Sequence, residues 1–320
     1  MNAVLNRIQN FGIVPVIQID EEKDALPLAK ALCDGGLPCA EVTFRTAAAQ
    51  GVIKAMTQAY PQMLVGAGTI LTTTQVEEAI EAGASFIVSP GFNPLVVDYC
   101  VKKAIPIIPG CSSPSDIEQA LSFGLEVVKF FPAEAAGGIS LLKAMSAPYG
   151  NVKFMPTGGI NTQNLKEYLD FKKVIACGAS WMVSSDLINA GNFHNIQKLT
   201  REAVELMLGF ELAHIGINAS NENEAVKEAS KFNIFGFTAR EESRSIFAST
   251  GIEVMKQPYL GKYGHIAMKT NDIDRAVSYL ECQGVEFYPD TARYDGKGNL
   301  ETIYLKEEIG GFAVHLVQKK

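Results

Sequence analysis

From residue 11 onward the chain alternates short apolar runs with polar connections and stretches whose apolar residues recur at helical spacing. The runs at 12–18, 39–43, 64–67, 86–88, 106–109, 127–130, 153–155 and 174–176 are apolar almost throughout, the pattern of strands covered on both faces. Between them the spacing predicts helices over 23–33, 74–82, 94–102 and 162–169, several opened by Thr, Ser or Asn as N-caps. Eight buried strands alternating with helices over about 200 residues predict a (β/α)8 TIM barrel. A doubly wound open sheet is the competing arrangement, but no G-x-G-x-x-G follows the first strand.

The rhythm changes after a predicted helix at 193–208. Gly209 is placed to end that helix, so the boundary falls near 209–212 and divides the chain into residues 1–208 and 209–320. Beyond it comes a strand, a helix and three closely spaced strands at 234–239, 243–248 and 252–256, and then the same order again from Lys262. His214-Ile215 precedes Ala225-Val226 by the same offset that separates His265-Ile266 from Ala276-Val277. Two similar βαβββ units are expected, an α+β domain built by internal duplication. The fold class is therefore α/β, a TIM barrel followed by a paired βαβββ domain.

Composition narrows the function classes. At 320 residues, 47% hydrophobic and 20% charged, the chain is globular and long enough for one large barrel or two domains. A net charge of −7 leaves no basic face for nucleic acid. The first 18 residues lack the features of a signal peptide and no apolar run approaches 18 residues, so a cytoplasmic protein without membrane contact is expected. Six cysteines with no C-x-x-C pair fit neither a disulfide framework nor a zinc ribbon, and read as reduced thiols.

In a barrel the chemistry collects at the C-terminal strand ends. Lys129 lies inside the apolar run at 127–131, where a charge is costly unless the amine is neutral or used. It reads as a Schiff-base nucleophile; taken alone it also fits a lysine reaching out to solvent. Glu41 occupies a similar inward position on strand two and suits a general acid/base, or an ion-pair partner of Lys129 or Arg45. Arg45 offers a planar fork for a substrate carboxylate and Thr69 a hydroxyl, although singly these fit a surface arginine and a helix cap. Gly158-Gly159 and the 178–181 turn follow strands seven and eight, where barrels commonly receive phosphate on backbone amides.

The segments EVTFRT, VGAGT, SPGFNP, VKFFPAE, PTGGI and GASWMV occur in that order. Over residues 4 to 208 the chain resembles the 2-keto-3-deoxy-6-phosphogluconate and 4-hydroxy-2-oxoglutarate aldolases, class I enzymes on a (β/α)8 barrel. The resemblance implies that Lys129 forms the Schiff base and Glu41 transfers protons. It implies that Arg45, Thr69 and Pro90 line the pyruvyl part of the site, and that Gly158, Gly159 and Ser180 hold the substrate phosphate. It further implies a phosphorylated keto acid as substrate, no cofactor for the cleavage, and a homotrimer. Ala179 stands where many relatives have glycine.

Residues 211 to 320 resemble the vicinal oxygen chelate superfamily in LAHIGI (212–217), GIEV (251–254), YGHIA (263–267) and FAVHLV (312–317). That resemblance implies metal ligands on the first and last strand of each repeat, where His214, Glu253, His265 and His315 stand. Three of the four histidines fall on those slots, with His315 in place of a more usual glutamate. Such a set suits a divalent zinc, nickel or iron ion. Three functions follow: an aldolase whose second domain regulates or stabilises it; a bifunctional enzyme with a metal-dependent isomerase or dioxygenase-like half; or an aldolase fused to a non-catalytic ligand-binding module. Gluconate versus galactonate stereochemistry and the strength of the phosphate requirement stay open at this level.

Overall fold

The computed structural model describes residues 2–319. The chain forms two compact units, dividing between Met207 and Leu208.

In the first unit the strands are β1 (Ile13–Ile17), β2 (Cys39–Thr43), β3 (Leu64–Gly68), β4 (Ile87–Val88), β5 (Ile107–Ile108), β6 (Gly110–Cys111), β7 (Val127–Phe130), β8 (Lys153–Pro156) and β9 (Cys177–Ala179). All pair in parallel. β5 and β6 are one barrel strand interrupted at Pro109, which has no N–H for the ladder. Parallel bridges Phe154–Val174 and Thr157–Gly178 join β8 to the chain entering β9, and β9 pairs with β1, so eight strands close into a TIM-like barrel.

Helix formation follows local chemistry. In helix Ala25–Asp34 the buried residues Ala25, Leu28, Ala29 and Leu32 recur at helical spacing and face the sheet. Helix Pro114–Ser122 starts with a capping box, in which Asp116 N–H donates to Ser113 Oγ and Ser113 N–H donates to Asp116 Oδ2. The amphipathic helix Ala3–Phe11 is capped by Asn2 and packs Ile8, with Val4, Leu5 and Phe11, against one layer of the barrel interior: Val14, Cys39, Leu64, Phe86, Ile108, Val127 and Met155. Each fully buried side chain of that size contributes about 1.5–3 kcal/mol.

Two residues further along the strands the interior changes character. Glu41 pairs with Val16 on one side and Gly66 on the other, and Lys129 pairs with Gly110. Because side chains alternate faces, Cys39 and Val127 fix Glu41 and Lys129 as inward-pointing, one layer nearer the C-terminal rim.

The eighth strand differs from its expected place. It runs over Cys177–Ala179 rather than 174–176, with Val174 joined to β8 by an isolated bridge. The small residues at 177–179 resemble a turn, yet a Cβ on Gly178 would overlap Thr157 Oγ1 and lie 3.0 Å from its Cγ2. The glycine is there so that β9 can pass close to β8.

The second unit carries β10 (Glu211–Asn218), β11 (Arg240–Glu241), β12 (Ser245–Ser249), β13 (Ile252–Met255), β14 (Gly264–Thr270), β15 (Phe287–Tyr294), β16 (Leu300–Ile309) and β17 (Phe312–Gln318). Their order in the sheet is β11-β12-β13-β10-β14-β17-β16-β15. Two βαβββ repeats thus meet at the antiparallel β10–β14 pair, and each repeat's first and last strands run parallel. Helix Glu222–Lys231 presents Ala225 and Ala229 to Ile246, Ala248 and Val254, small side chains that let it lie close to the sheet.

The strand expected at 234–239 does not form. Phe232–Phe235 is a 3-10 turn ended by Gly236 at φ +78°, and only Arg240–Glu241 pairs. Ile234 is 82% exposed and Phe235 66%, so the apolar pattern has nothing to bury against.

Candidate functional site

The barrel's polar layer is dominated by one pair. Lys129 Nζ lies 3.3 Å from Glu41 Oε1, with Lys129 5% and Glu41 0% exposed. The other carboxylate oxygen, Oε2, is buried without a hydrogen-bond partner among the described residues. A buried pair of this kind costs desolvation on both ions, and leaving one acceptor idle adds to the cost; such an arrangement marks a working site more than a stabilising one. Glycines make the room for it. A Cβ on Gly68 would overlap Glu41 Oε1 and approach its Cγ to 2.7 Å, and one on Gly110 would overlap the Pro90 carbonyl.

Around the pair, Thr69 follows β3 at φ +58°, a left-handed conformation uncommon for a residue with a Cβ and costing on the order of 1–3 kcal/mol. Pro90 follows the buried Ser89, whose hydroxyl donates to the Gly91 carbonyl at 2.8 Å. Arg45 is exposed, and its guanidinium makes no hydrogen bond or ion pair among the described residues. Gly158 and Gly159 follow β8 at φ +99° and +84°, and Ser180 follows β9. Gly159 and Ser180 are exposed, and their N–H groups donate to no acceptor among the described residues. The next helix begins at Leu165, not at 162, so the glycine turn is not itself a helix N-terminus; its amides stand free as individual donors.

Three further supports are given no role by the sequence alone, although Phe131, Glu134 and Thr157 lie within the VKFFPAE and PTGGI segments. Phe131 places its ring 5.2 Å from Lys129 Nζ. Thr157 Oγ1 is buried with no partner among the described residues, one residue before the glycine turn. Behind that turn Tyr168 Oη donates to Glu134 Oε1 at 2.5 Å, and Glu134 N–H donates to the Gly158 carbonyl at 3.0 Å. Burial, with the Glu134 hydrogen bond, pushes the Tyr168 phenol well above its usual range, so it stays a donor.

In the second unit, β10 supplies His214, β13 Glu253, β14 His265 and β17 His315. His214 Nε2 and His265 Nε2 lie 3.0 Å apart, and Glu253 Oε2 lies 3.0 and 3.1 Å from them. One ring nitrogen from each of His214, His265 and His315 falls within 4.8 Å of the others. The His265 ring lies over Gly216, where a Cβ would overlap it. Burial alone would raise the Glu253 carboxyl, but hydrogen bonds from His214, His265 and Ser245 outweigh it and hold the group below its ordinary range. Burial, then the neighbouring His265 and His214, lowers His315 to about 3. The cluster therefore offers a carboxylate and a neutral imidazole at His315 at neutral pH, the protonation states that ligate metal. Both His315 nitrogens are buried and unpartnered among the described residues, as is His265 Nδ1. Such orphaned donors, converging with a carboxylate, fit a divalent ion in chemistry and placement. Among the described residues no helix is long and apolar enough to cross a membrane.

A family model described as KDPG and KHG aldolase matches residues 4–199, ending before the second unit begins. A 2-dehydro-3-deoxy-phosphogluconate aldolase of Treponema pallidum is 46% identical over 207 residues, covering 65% of this chain and 99% of that protein. The KHG/KDPG aldolase of Escherichia coli K12 is 44% identical over 193 residues, 60% of this chain and 91% of the relative. Among solved structures, the KDPG aldolase of Legionella pneumophila, with pyruvate captured as a covalent carbinolamine, superposes with a TM-score of 0.61 at 41% identity. It covers 63% of this chain and 98% of its own. Barrel, motifs and matches agree, and the chain belongs to the KDPG and KHG aldolase family.

Proposed function

We propose that the first unit, residues 1–208, cleaves 2-keto-3-deoxy-6-phosphogluconate to pyruvate and glyceraldehyde 3-phosphate, with 4-hydroxy-2-oxoglutarate as a second substrate giving pyruvate and glyoxylate. The observation that carries this is the Lys129–Glu41 pair buried inside the closed barrel. Lys129 Nζ attacks the C2 carbonyl, and loss of water from the carbinolamine leaves an iminium that draws electrons from the C3–C4 bond. Glu41 takes the C4 hydroxyl proton as that bond breaks, releasing the aldehyde and leaving an enamine. Protonation at C3 and hydrolysis return pyruvate and the free lysine. Arg45, Thr69 and Pro90 receive the pyruvyl end; the amides of Gly158, Gly159 and Ser180 receive the phosphate. Borohydride added with pyruvate should attach a three-carbon adduct to Lys129, and Lys129→Ala should lose both adduct and turnover. An adduct on another lysine, with Lys129→Ala active, overturns the assignment.

The assembly we propose is a homotrimer of the 34.6 kDa chain. Supporting it, two large apolar side chains of the barrel, Leu71 and Leu95, are 52% and 75% exposed and free to enter a subunit contact. Light scattering on the purified protein tests it.

For the second unit, residues 209–320, we propose a vicinal oxygen chelate-like domain in which His214, Glu253, His265 and His315 hold a divalent metal ion. The orphaned nitrogens of His315 favour this over a metal-free binding module. When bound, the ion would act as a Lewis acid toward adjacent ligand oxygens. Metal analysis of the intact chain against His265→Ala tests the site: one equivalent should be lost with the substitution. Aldolase turnover should survive chelation, since no barrel step runs through an ion.

A further inference from the structure

The cavity of about 960 Å3 in the second unit is lined by more than the four clustered donors. Arg244 and Arg293 line it as well, one from each repeat: Arg244 in the turn between β11 and β12, Arg293 near the end of β15. Neither guanidinium makes an ion pair or hydrogen bond among the described residues. The remaining lysine or arginine that lines this cavity is paired. Lys256 bridges Glu222 at 2.8 Å and Glu241 at 2.6 Å. In a chain with 35 acidic against 28 basic residues, two arginines without a carboxylate partner line one cavity, an arrangement suited to an anion from solution.

Strand register sets their distance from the cluster. Arg293 pairs with Thr302, which shares a face with Tyr304 two residues on; Tyr304 pairs with His315 and stacks on its ring at 4.5 Å. In the other repeat Ser245, next to Arg244, pairs with Met255, which shares a face with Glu253. Arg293 thus lies two strands across from His315 and one same-face step, about 6.6 Å, along, while Arg244 adjoins Ser245, whose side chain hydrogen-bonds to Glu253.

We infer that this cavity binds a small organic acid at two points. A pair of adjacent oxygens, as in a 2-hydroxy- or 2-oxo-carboxylate, meets the His214, Glu253, His265, His315 end. A second anionic group, carboxylate or phosphate, meets the forks of Arg244 and Arg293. The inference rests on the metal reading of the cluster given above and adds the class of ligand.

The test uses the full chain loaded with cobalt(II), whose visible absorption reports only on the ion's own surroundings. L-Malate and 3-phosphoglycerate each carry the adjacent oxygen pair and a second acid; lactate carries the pair alone. Malate, 3-phosphoglycerate or both should perturb the cobalt bands with a Kd about tenfold or more below that of lactate, and the tighter of the two tells carboxylate from phosphate. Arg244→Gln with Arg293→Gln should take up the same cobalt with the same spectrum and lose that preference. Cobalt bound with lactate as tight as both diacids, or a preference surviving in the double variant, overturns the inference and leaves the metal reading standing. Failure to bind cobalt, or uptake unchanged in His265→Ala, overturns the metal reading and the inference with it.

Discussion

Replacing Gly68 with alanine perturbs the barrel site without altering either charged residue. A Cβ at Gly68 overlaps Glu41 Oε1 and falls 2.7 and 2.8 Å from its Cγ and Cδ. Unstrained contacts between such atoms start at about 3.5 Å, so the carboxylate must retreat by about 1 Å or β3 must bow. Glu41 is 0% exposed and has no solvent to move into, and the oxygen displaced is the one 3.3 Å from Lys129. A misplacement of about 1 Å in a reacting group costs roughly 100-fold in rate, and overpacking costs about 1–3 kcal/mol of stability. Gly66→Ala is the matched control: it lies on the same strand and face, but its Cβ meets the Phe86 ring at 2.5 Å or less, away from the carboxylate. Both variants should lose stability; only Gly68→Ala should lose about two orders of magnitude in kcat. Pyruvate release coupled to lactate dehydrogenase gives the rate. Trp181, the single tryptophan, lies in the first unit, so its fluorescence follows barrel unfolding alone. With m of about 2–3 kcal/mol/M, the urea midpoint should fall by roughly 0.3–1.5 M in each variant. If Gly68→Ala stays within about threefold of the parent kcat, or Gly66→Ala loses as much, the carboxylate's position does not govern turnover.

Other consequences can be measured directly. The free amides of Gly159 and Ser180 should give the phosphorylated substrate a kcat/KM at least about 100-fold above its dephospho analogue; equal values would make these turns structural only. Burial pushes the thiols of Cys33, Cys100 and Cys111 up, to about 11, 12 and 12, while Cys282 is exposed. Ellman's reagent at about pH 8 should therefore titrate one thiol quickly, and rapid reaction of several would contradict the buried placements. His315 in the metal-free chain is lowered to about 3 from 6.5, so the folded state binds its proton less readily than the unfolded chain. Its stabilisation is complete above about pH 6.5 and drains as the pH falls toward 3. The second unit should melt lower at about pH 5 than at about pH 7.5, and His315→Gln should flatten that slope; identical slopes would exclude His315 as the cause.

What was legible in the sequence depended on whether the cause was local. Buried parallel strands announce themselves as apolar runs, and the alternation of faces made Glu41 and Lys129 readable as inward groups because Cys39 and Val127 beside them are plainly core. The eighth strand was misplaced because the reason for Gly178 is Thr157, a residue on the neighbouring strand. The apolar stretch at 234–239 reads as a strand by composition, but a strand needs a partner edge, and here only Arg240–Glu241 found one. The same limit applies to chemistry. His214 and His265 were legible as equivalent through the duplication, and the antiparallel register that sets Gly216 opposite His265 brings the two rings together. Arg244 and Arg293 gave no such sign, since each sits among charged and polar neighbours like any solvated residue. Only the folded sheet brings them to one cavity, and only the carboxylate pairing of Lys256 in the same cavity makes their own lack of partners meaningful. A ligand site assembled from one residue per repeat is thus visible first as an unbalanced charge in the folded sheet, because the anion that balances it is no part of the chain.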